Sequence, residues 1–424
     1  IEEVNPRLNA VVTLCAERAR REALEADRAL ESGWRRGPLH GVPMTIKDSL
    51  DTAGVISTGG SHGRRAFVPE RDATVVSRLR EAGAILLGKT NTPEFTLSFE
   101  TDNLIYGRTS NPWDTTLTSG GSSGGAAAIV AAGGAPFDIG SDYGGSIRLP
   151  SHFCGVCGIK PTSGRVPRTG HIYPFGGVQD AFQQIGPLAR RVEDLSLLLD
   201  VIAGPDGIDP AIVPLPLRSP GEVDLAALRV SFHTDNGVRT PTPETVATVE
   251  AAAKALEGSV AAVEEVRPDG VEETMDLFSL YVWDGGAAVA RLSRLAGTVQ
   301  SSLGESQAPP LGAVELDALI ARWWHMRSRM ETFFQDWDVI LAPVNAGPAF
   351  PHGGLAEPGA LTAFSYTVTY NLTGWPGAVV PCGTSDEGLP IGVQIVARPW
   401  REDVALAVAA ALEAELGGYR RPLI

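Results

Sequence analysis

The sequence predicts an α/β layered core, and three features lead to that prediction. Short apolar runs at Ala84–Asn91 (AILLGKTN), Gly155–Ile159 and Val339–Ala342 have the length and composition of buried strands. Asp72–Glu81 (DATVVSRLRE) has the apolar spacing of a helix, opens on an acid and stops at Gly83, directly before the first of those strands. Helices alternating with apolar strands build layers of sheet and helix, although the pattern leaves strand order open.

The remaining elements follow in chain order. Residues 1–32 open with Asn5-Pro6 and continue as an Ala-, Leu-, Arg- and Glu-rich helix, with Leu14, Ala23, Leu24 and Leu30 as its docking positions. Val192–Ala203, Thr242–Gly258, Val271–Arg294 and Ala313–Trp337 read as further helices, the second with a plausible cap. The fourth carries Trp323, Trp324, His325 and Met326, an aromatic density that ordinarily fills core and hints only weakly at an apolar substrate. Gly204–Gly221 is a Pro/Gly-rich loop in which a substrate wall could vary. Thr373–Gly377 and Gly388–Ile395 return to turn and strand before an Ala-rich terminal helix.

Composition narrows the function classes. A chain of 424 residues, 43% hydrophobic, can bury a large core. Lys and Arg total 35 against 50 Asp and Glu, a formal charge of −15, which disfavours nucleic-acid binding. Cys15, Cys154, Cys157 and Cys382 are too few for a disulfide framework, so a reducing, cytoplasmic setting is expected. Because FCGVCGIKPT reads as a strand ending in a turn, its CxxC is assigned to packing, not redox chemistry. With no second CxxC and no HxxxH, a metal site is not expected. No apolar run approaches the ~20 residues needed to span a bilayer, while the numbering starts at Ile1, so a leader upstream is left open.

The stretch Thr118–Pro150 holds the candidate chemistry. Two serines, Ser122 and Ser146, are each set among glycines that let the backbone turn tightly and present N–H groups. An Ala-rich segment between them suits a closely packed helix. A serine hydroxyl needs a base to become a nucleophile, and the oxyanion it creates needs preorganised donors. Asp142-Tyr143-Gly144-Gly145-Ser146 supplies candidate donors, but no histidine base or GxSxG elbow accompanies it. Lys47, on the apolar strand VPMTIK, is the best alternative, since burial lowers a lysine's pKa and a neutral amine accepts protons.

GVPMTIKD, TSGGSSGGAAA, GSDYGGSIRLP, GIKPTSGRVPRTG and GLPIGVQIVARPWRED together resemble the serial motifs of the amidase signature family. The match runs from about residue 37 to 165 and again from about 371 to 403. The intervals 146 − 122 = 24 and 146 − 47 = 99 agree with that family's spacing. The resemblance implies a mixed central β-sheet covered on both faces by α-helices. It implies a single domain over residues 1–424, made of an N-terminal helical segment (1–35), a catalytic core (37–203), a variable substrate-pocket region (204–370) and a C-terminal core return (371–424). It further implies a Ser-Ser-Lys triad: Ser146 as nucleophile, Ser122 as proton relay after a cis peptide bond from Gly121, and Lys47 as general base. The amides of Tyr143, Gly144, Gly145 and Ser146 would form the oxyanion hole, with no metal or organic cofactor. Ser123 and Thr118 would brace the loop, and Asp142 with Arg148 would hold the turn by an ion pair. Tyr143 departs from the smaller residues usual there, and either narrows the acyl pocket or packs away from it.

The expected activity is hydrolysis of C–N bonds in small-molecule amides, aryl amides or carbamates (urethanes), with homodimerisation left open. The alternative is the glutaminase subunit of a tRNA-dependent amidotransferase, which needs a polar glutamine pocket and an obligatory partner. A scaffold that had kept only the fold would usually have lost a triad member, and all three are present. A phosphate-binding loop would require a Gly-Lys-Ser/Thr that GGSSGG lacks.

Overall fold

The computed structural model describes residues 1–304 and 309–424. Among these, eleven strands form one mixed sheet. They are β1 (Val11–Leu14), β2 (Pro43–Lys47), β3 (Ile85–Thr90), β4 (Phe137–Asp142), β5 (Cys157–Lys160), β6 (Gln184–Ala189), β7 (Arg229–Phe232), β8 (Ala262–Glu265), β9 (Val339–Pro343), β10 (Gly377–Thr384) and β11 (Pro390–Ala397). Their order is β1-β3-β2-β4-β6-β5-β10-β11-β9-β7-β8. β2 runs parallel to both β3 and β4, and β7 to both β8 and β9, while the neighbours between β4 and β9 are antiparallel. The predicted strands are β2, β3, β5, β9 and β11, and β7 and β8 extend the same sheet from within the 204–370 region.

Helices cover both faces. One core cluster joins Met44 and Ile46 of β2 and Phe137 and Ile139 of β4 to four helices: Thr74–Glu81, Val192–Ile202, Pro243–Leu256 and Glu402–Leu416. A second surrounds Gly124–Ala131, every residue of which is buried. Here the Ala-rich composition has a geometric reason. A Cβ on Gly125 would lie 2.4 Å from the Asn91 nitrogen and 2.7 Å from the Ala10 oxygen, so only a bare backbone can sit this close to the β1–β3 edge.

Several expectations change. The N-terminal segment is not one helix: β1 intervenes between Asn5–Leu8 and Ala16–Glu31. Leu14, Leu24 and Leu30 are exposed, and Ala19 is the helix residue that is buried. Val271–Arg294 breaks into short turns and a separate helix, Ala287–Ala296, because Gly285 and Gly286 adopt positive φ between them. Cys154 closes the helix Arg148–Cys154 and is not in a strand; Gly155, at φ 72°, turns the chain into β5. Burial pushes the thiols of Cys154 and Cys157 up, which suits packing.

Candidate active site

Strand alternation aims Lys47. Met44 and Ile46 enter the core on one face of β2, so Thr45 and Lys47 project from the other, under the loop that leads into Gly124–Ala131. Lys47 is fully buried, and its Nζ lies 2.7 Å from Ser122 Oγ, 2.9 Å from Ser123 Oγ and 3.0 Å from Ser141 Oγ. Desolvation lowers its pKa to about 7, against the opposing pull of Asp142 and Asp138. A sizeable fraction of the amine is therefore neutral near neutral pH. The Gly121–Ser122 peptide bond is cis.

The turn after β4 carries Ser146. Gly145 has φ 131°, and a Cβ there would lie 2.3 Å from Thr367 Oγ1, so position 145 requires glycine. Asp142 gathers the turn around its carboxylate: Gly145 and Ile147 donate their N–H groups at 2.9 and 3.1 Å, and Asn371 donates at 2.8 Å. Arg148 adds two bonds of 3.0 Å, one to each carboxylate oxygen. Burial alone would raise the Asp142 pKa, but the Arg148 charge and hydrogen bonds, Lys160 and Asn371 outweigh it and hold the carboxyl well below its usual range. The same guanidinium donates to Gln394 Oε1 at 2.6 Å, which ties the late GVQIVARPW motif to the serine turn.

The structure divides the expected oxyanion donors. The amides of Tyr143, Gly144 and Ser146 have no acceptor among the described residues, whereas that of Gly145 is committed to Asp142 Oδ1. Gly145 therefore serves the turn, a correction to its expected place in the hole. Lys47 and Ser122 are brought into contact. Ser146 joins them through the main chain, since the Ser123 N–H donates to the Ser146 carbonyl at 3.1 Å. No hydrogen bond links the Ser122 and Ser146 side chains among the described residues.

Ser146 and Gly144 open onto a cavity of about 920 Å³ whose wall is mostly apolar. Its aromatic members are Phe99, Tyr143, Tyr173, Phe278 and Tyr281. Tyr143 both lines this space and packs, with ring centroids 4.8 Å from Tyr281 and 5.9 Å from Tyr173. Its hydroxyl is buried without a hydrogen-bond partner among the described residues, and burial, the neighbouring phenols and Asp284 push its pKa well up. The tryptophans do not line the cavity: Trp323 donates to the Leu372 carbonyl at 2.7 Å inside the core, and Trp324 faces outward. Nor does Gly204–Gly221, which packs against Arg165 through the Leu215 carbonyl.

Ser141, His171, Tyr281, Thr367 and Asn371 also meet this site, unmarked by sequence reasoning. Of these, Ser141 falls within GSDYGGSIRLP and Asn371 opens the second matched stretch, whereas His171, Tyr281 and Thr367 carried no signal along the chain. Tyr281 hydrogen-bonds the Tyr143 carbonyl at 2.9 Å from 138 residues away.

The family model described as Amidase matches residues 1–406. An acylamidase of Rhodococcus erythropolis is 37% identical, covering 98% of this chain and 89% of that protein. A glutamyl-tRNA(Gln) amidotransferase subunit from Moorella thermoacetica is also 37% identical, covering 99% of this chain and 92% of its own. A solved 6-aminohexanoate cyclic dimer hydrolase bound to its substrate superposes with a TM-score of 0.87 at 30% identity, over 100% of this chain and 93% of that one.

Proposed function

The chain belongs to the amidase family, and from that premise we propose that it is a hydrolase of amide C–N bonds working through an acyl-enzyme on Ser146. The observation that carries the proposal is the buried Lys47 amine, 2.7 Å from Ser122 Oγ and with a pKa near 7, beside a serine that opens onto a large cavity. In this reading neutral Lys47 takes the Ser122 proton as Ser122 takes that of Ser146, and Ser146 Oγ attacks the carbonyl. The free amides of Tyr143, Gly144 and Ser146 face the oxyanion. Ser122 returns a proton to the leaving nitrogen, and water repeats the sequence on the ester. The Ser122–Ser146 link closes in the substrate complex, as catalytic hydrogen bonds that are loose in the free enzyme commonly do.

The cavity wall favours amides bearing an aryl or alkyl group, and carbamates are substrates for the same steps, since loss of the amine leaves a carbonate ester on Ser146. The amidotransferase reading has a relative of equal identity behind it. The aromatic wall is a poor glutamine pocket, so we place it second.

The test is hydrolysis of panels of anilides, aliphatic amides, carbamates and glutamine, with Ser146→Ala as control. Amine release from apolar amides that vanishes in Ser146→Ala is the expected result. Activity on glutamine alone, or equal rates in the variant, would reject the proposal.

A further inference from the structure

Ser141 stands between two groups of the site. Its Oγ is 3.0 Å from Lys47 Nζ and 3.0 Å from His171 Nε2. The other ring nitrogen, Nδ1, accepts the Tyr173 N–H at 3.3 Å. A main-chain amide has only a proton to give, so Nδ1 is the unprotonated nitrogen and Nε2 carries the proton of the neutral ring. The ring stays neutral because burial and the positive charges of Lys47, Arg168 and Arg64 hold its pKa near 3. Nε2–H accordingly donates to Ser141 Oγ; the Lys47 Nζ, 3.0 Å from that oxygen, donates to it as an ammonium and can accept the Ser141 proton only as a neutral amine.

The third hydroxyl has its direction set as well. Ser123 Oγ donates to the Ser141 carbonyl at 3.3 Å, so toward Lys47 it can only accept. We propose that His171 is a positioning residue for the Lys47 base: it donates to Ser141, Ser141 donates to Lys47 Nζ, and this chain of donors favours the amine of Lys47 over its ammonium form. An ammonium has no lone pair, so protonating Lys47 strands the Ser141 proton in a buried place. Rotation about the Cε–Nζ bond exchanges Ser141 for Ser122, 2.7 Å away, as donor to the lone pair when proton transfer begins. The charged groups facing Lys47, Asp142 and Asp138 of β4, act in the opposite sense.

The inference rests on the hydrolase reading, and the experiment separates the two. The pH profile of kcat/KM is measured for the wild type, His171→Phe, His171→Gln and Ser146→Ala on an anilide turned over by the wild type. The expected result is that the acid limb of His171→Phe moves up by about one pH unit, a roughly tenfold loss on the acidic side that closes at high pH. His171→Gln, whose amide can still donate to Ser141, keeps the wild-type limb. Ser141→Ala, which removes the middle hydroxyl, shifts the limb in the same direction and stands in if His171→Phe does not fold. An unmoved limb in both variants, or a loss uniform across pH, overturns the role of His171 alone. An active Ser146→Ala overturns the hydrolase reading and this inference with it.

Discussion

At the scale of single residues, the site depends on how a lysine is kept in the interior. Among the described residues Lys47 has no carboxylate hydrogen-bonded to it; its partners there are three hydroxyls and a carbonyl, so burial dominates its titration. With a pKa lowered to about 7, it is protonated and unable to accept below that value. We expect kcat/KM to rise with pH through about 7 and to fall about tenfold per unit on the acid side. Lys47→Ala should lower kcat by roughly 10²- to 10⁴-fold and abolish that acid limb, as read from steady-state rates between pH 5 and 9. A variant that kept both rate and limb would remove Lys47 from the role of base. Tyr143 shows a different constraint, since one ring serves the cavity wall and the aromatic packing together.

At the scale of elements, precision comes from close approach. Gly124–Ala131 lies against β1 and β3 with no room at Gly125 for a methyl group, and the atoms it would strike are backbone. Gly125→Ala should therefore destabilise the protein by about 1–3 kcal/mol, an overpacking cost measurable by urea unfolding, and shift the Ser122 loop at the helix start. A change below about 0.5 kcal/mol would show that the helix can move away freely. The serine turn is braced likewise from distant elements: Thr367 and Asn371 of the helix Ser365–Leu372, Gln394 of β11 and Tyr281 from the broken helical region. The late motif thus has a physical role at the site although it contributes no reacting group.

At the scale of the whole molecule, burial of titratable groups links stability to pH. Lys160 is fully buried, donates to the Pro161 carbonyl at 3.0 Å, and has a pKa lowered to about 7, chiefly by desolvation and then by Arg148. Between that value and its unfolded value near 10.4, the unfolded chain binds the extra proton, so stability rises with pH across this window. Asp138, raised to about 7 mainly by burial, acts in the other direction below it: its contribution is fully present under the unfolded value and is lost as pH climbs to about 7. Lys160→Met should consequently flatten the rise in melting temperature between pH 7.5 and 9.5, as followed by calorimetry. An unchanged slope would mean that Lys160 keeps its proton in the folded protein.

The sequence by itself determined the layered class and most helix positions and singled out Lys47, Ser122 and Ser146 as candidates, because periodicity, glycine spacing and the ordered motifs are local properties of the chain. It also pointed to Asp142 and Arg148, whose spacing across one turn allows their ion pair. The tertiary structure alone decided that Gly145's amide serves the turn, that the cavity wall is built from Phe99, Tyr143, Tyr173, Phe278 and Tyr281 instead of the tryptophans, and that His171 reaches Lys47 through Ser141. Those outcomes depend on which distant segments meet. A hydroxyl or a ring acquires its partner only when the sheet order brings the segments together, and no spacing along one chain encodes that order.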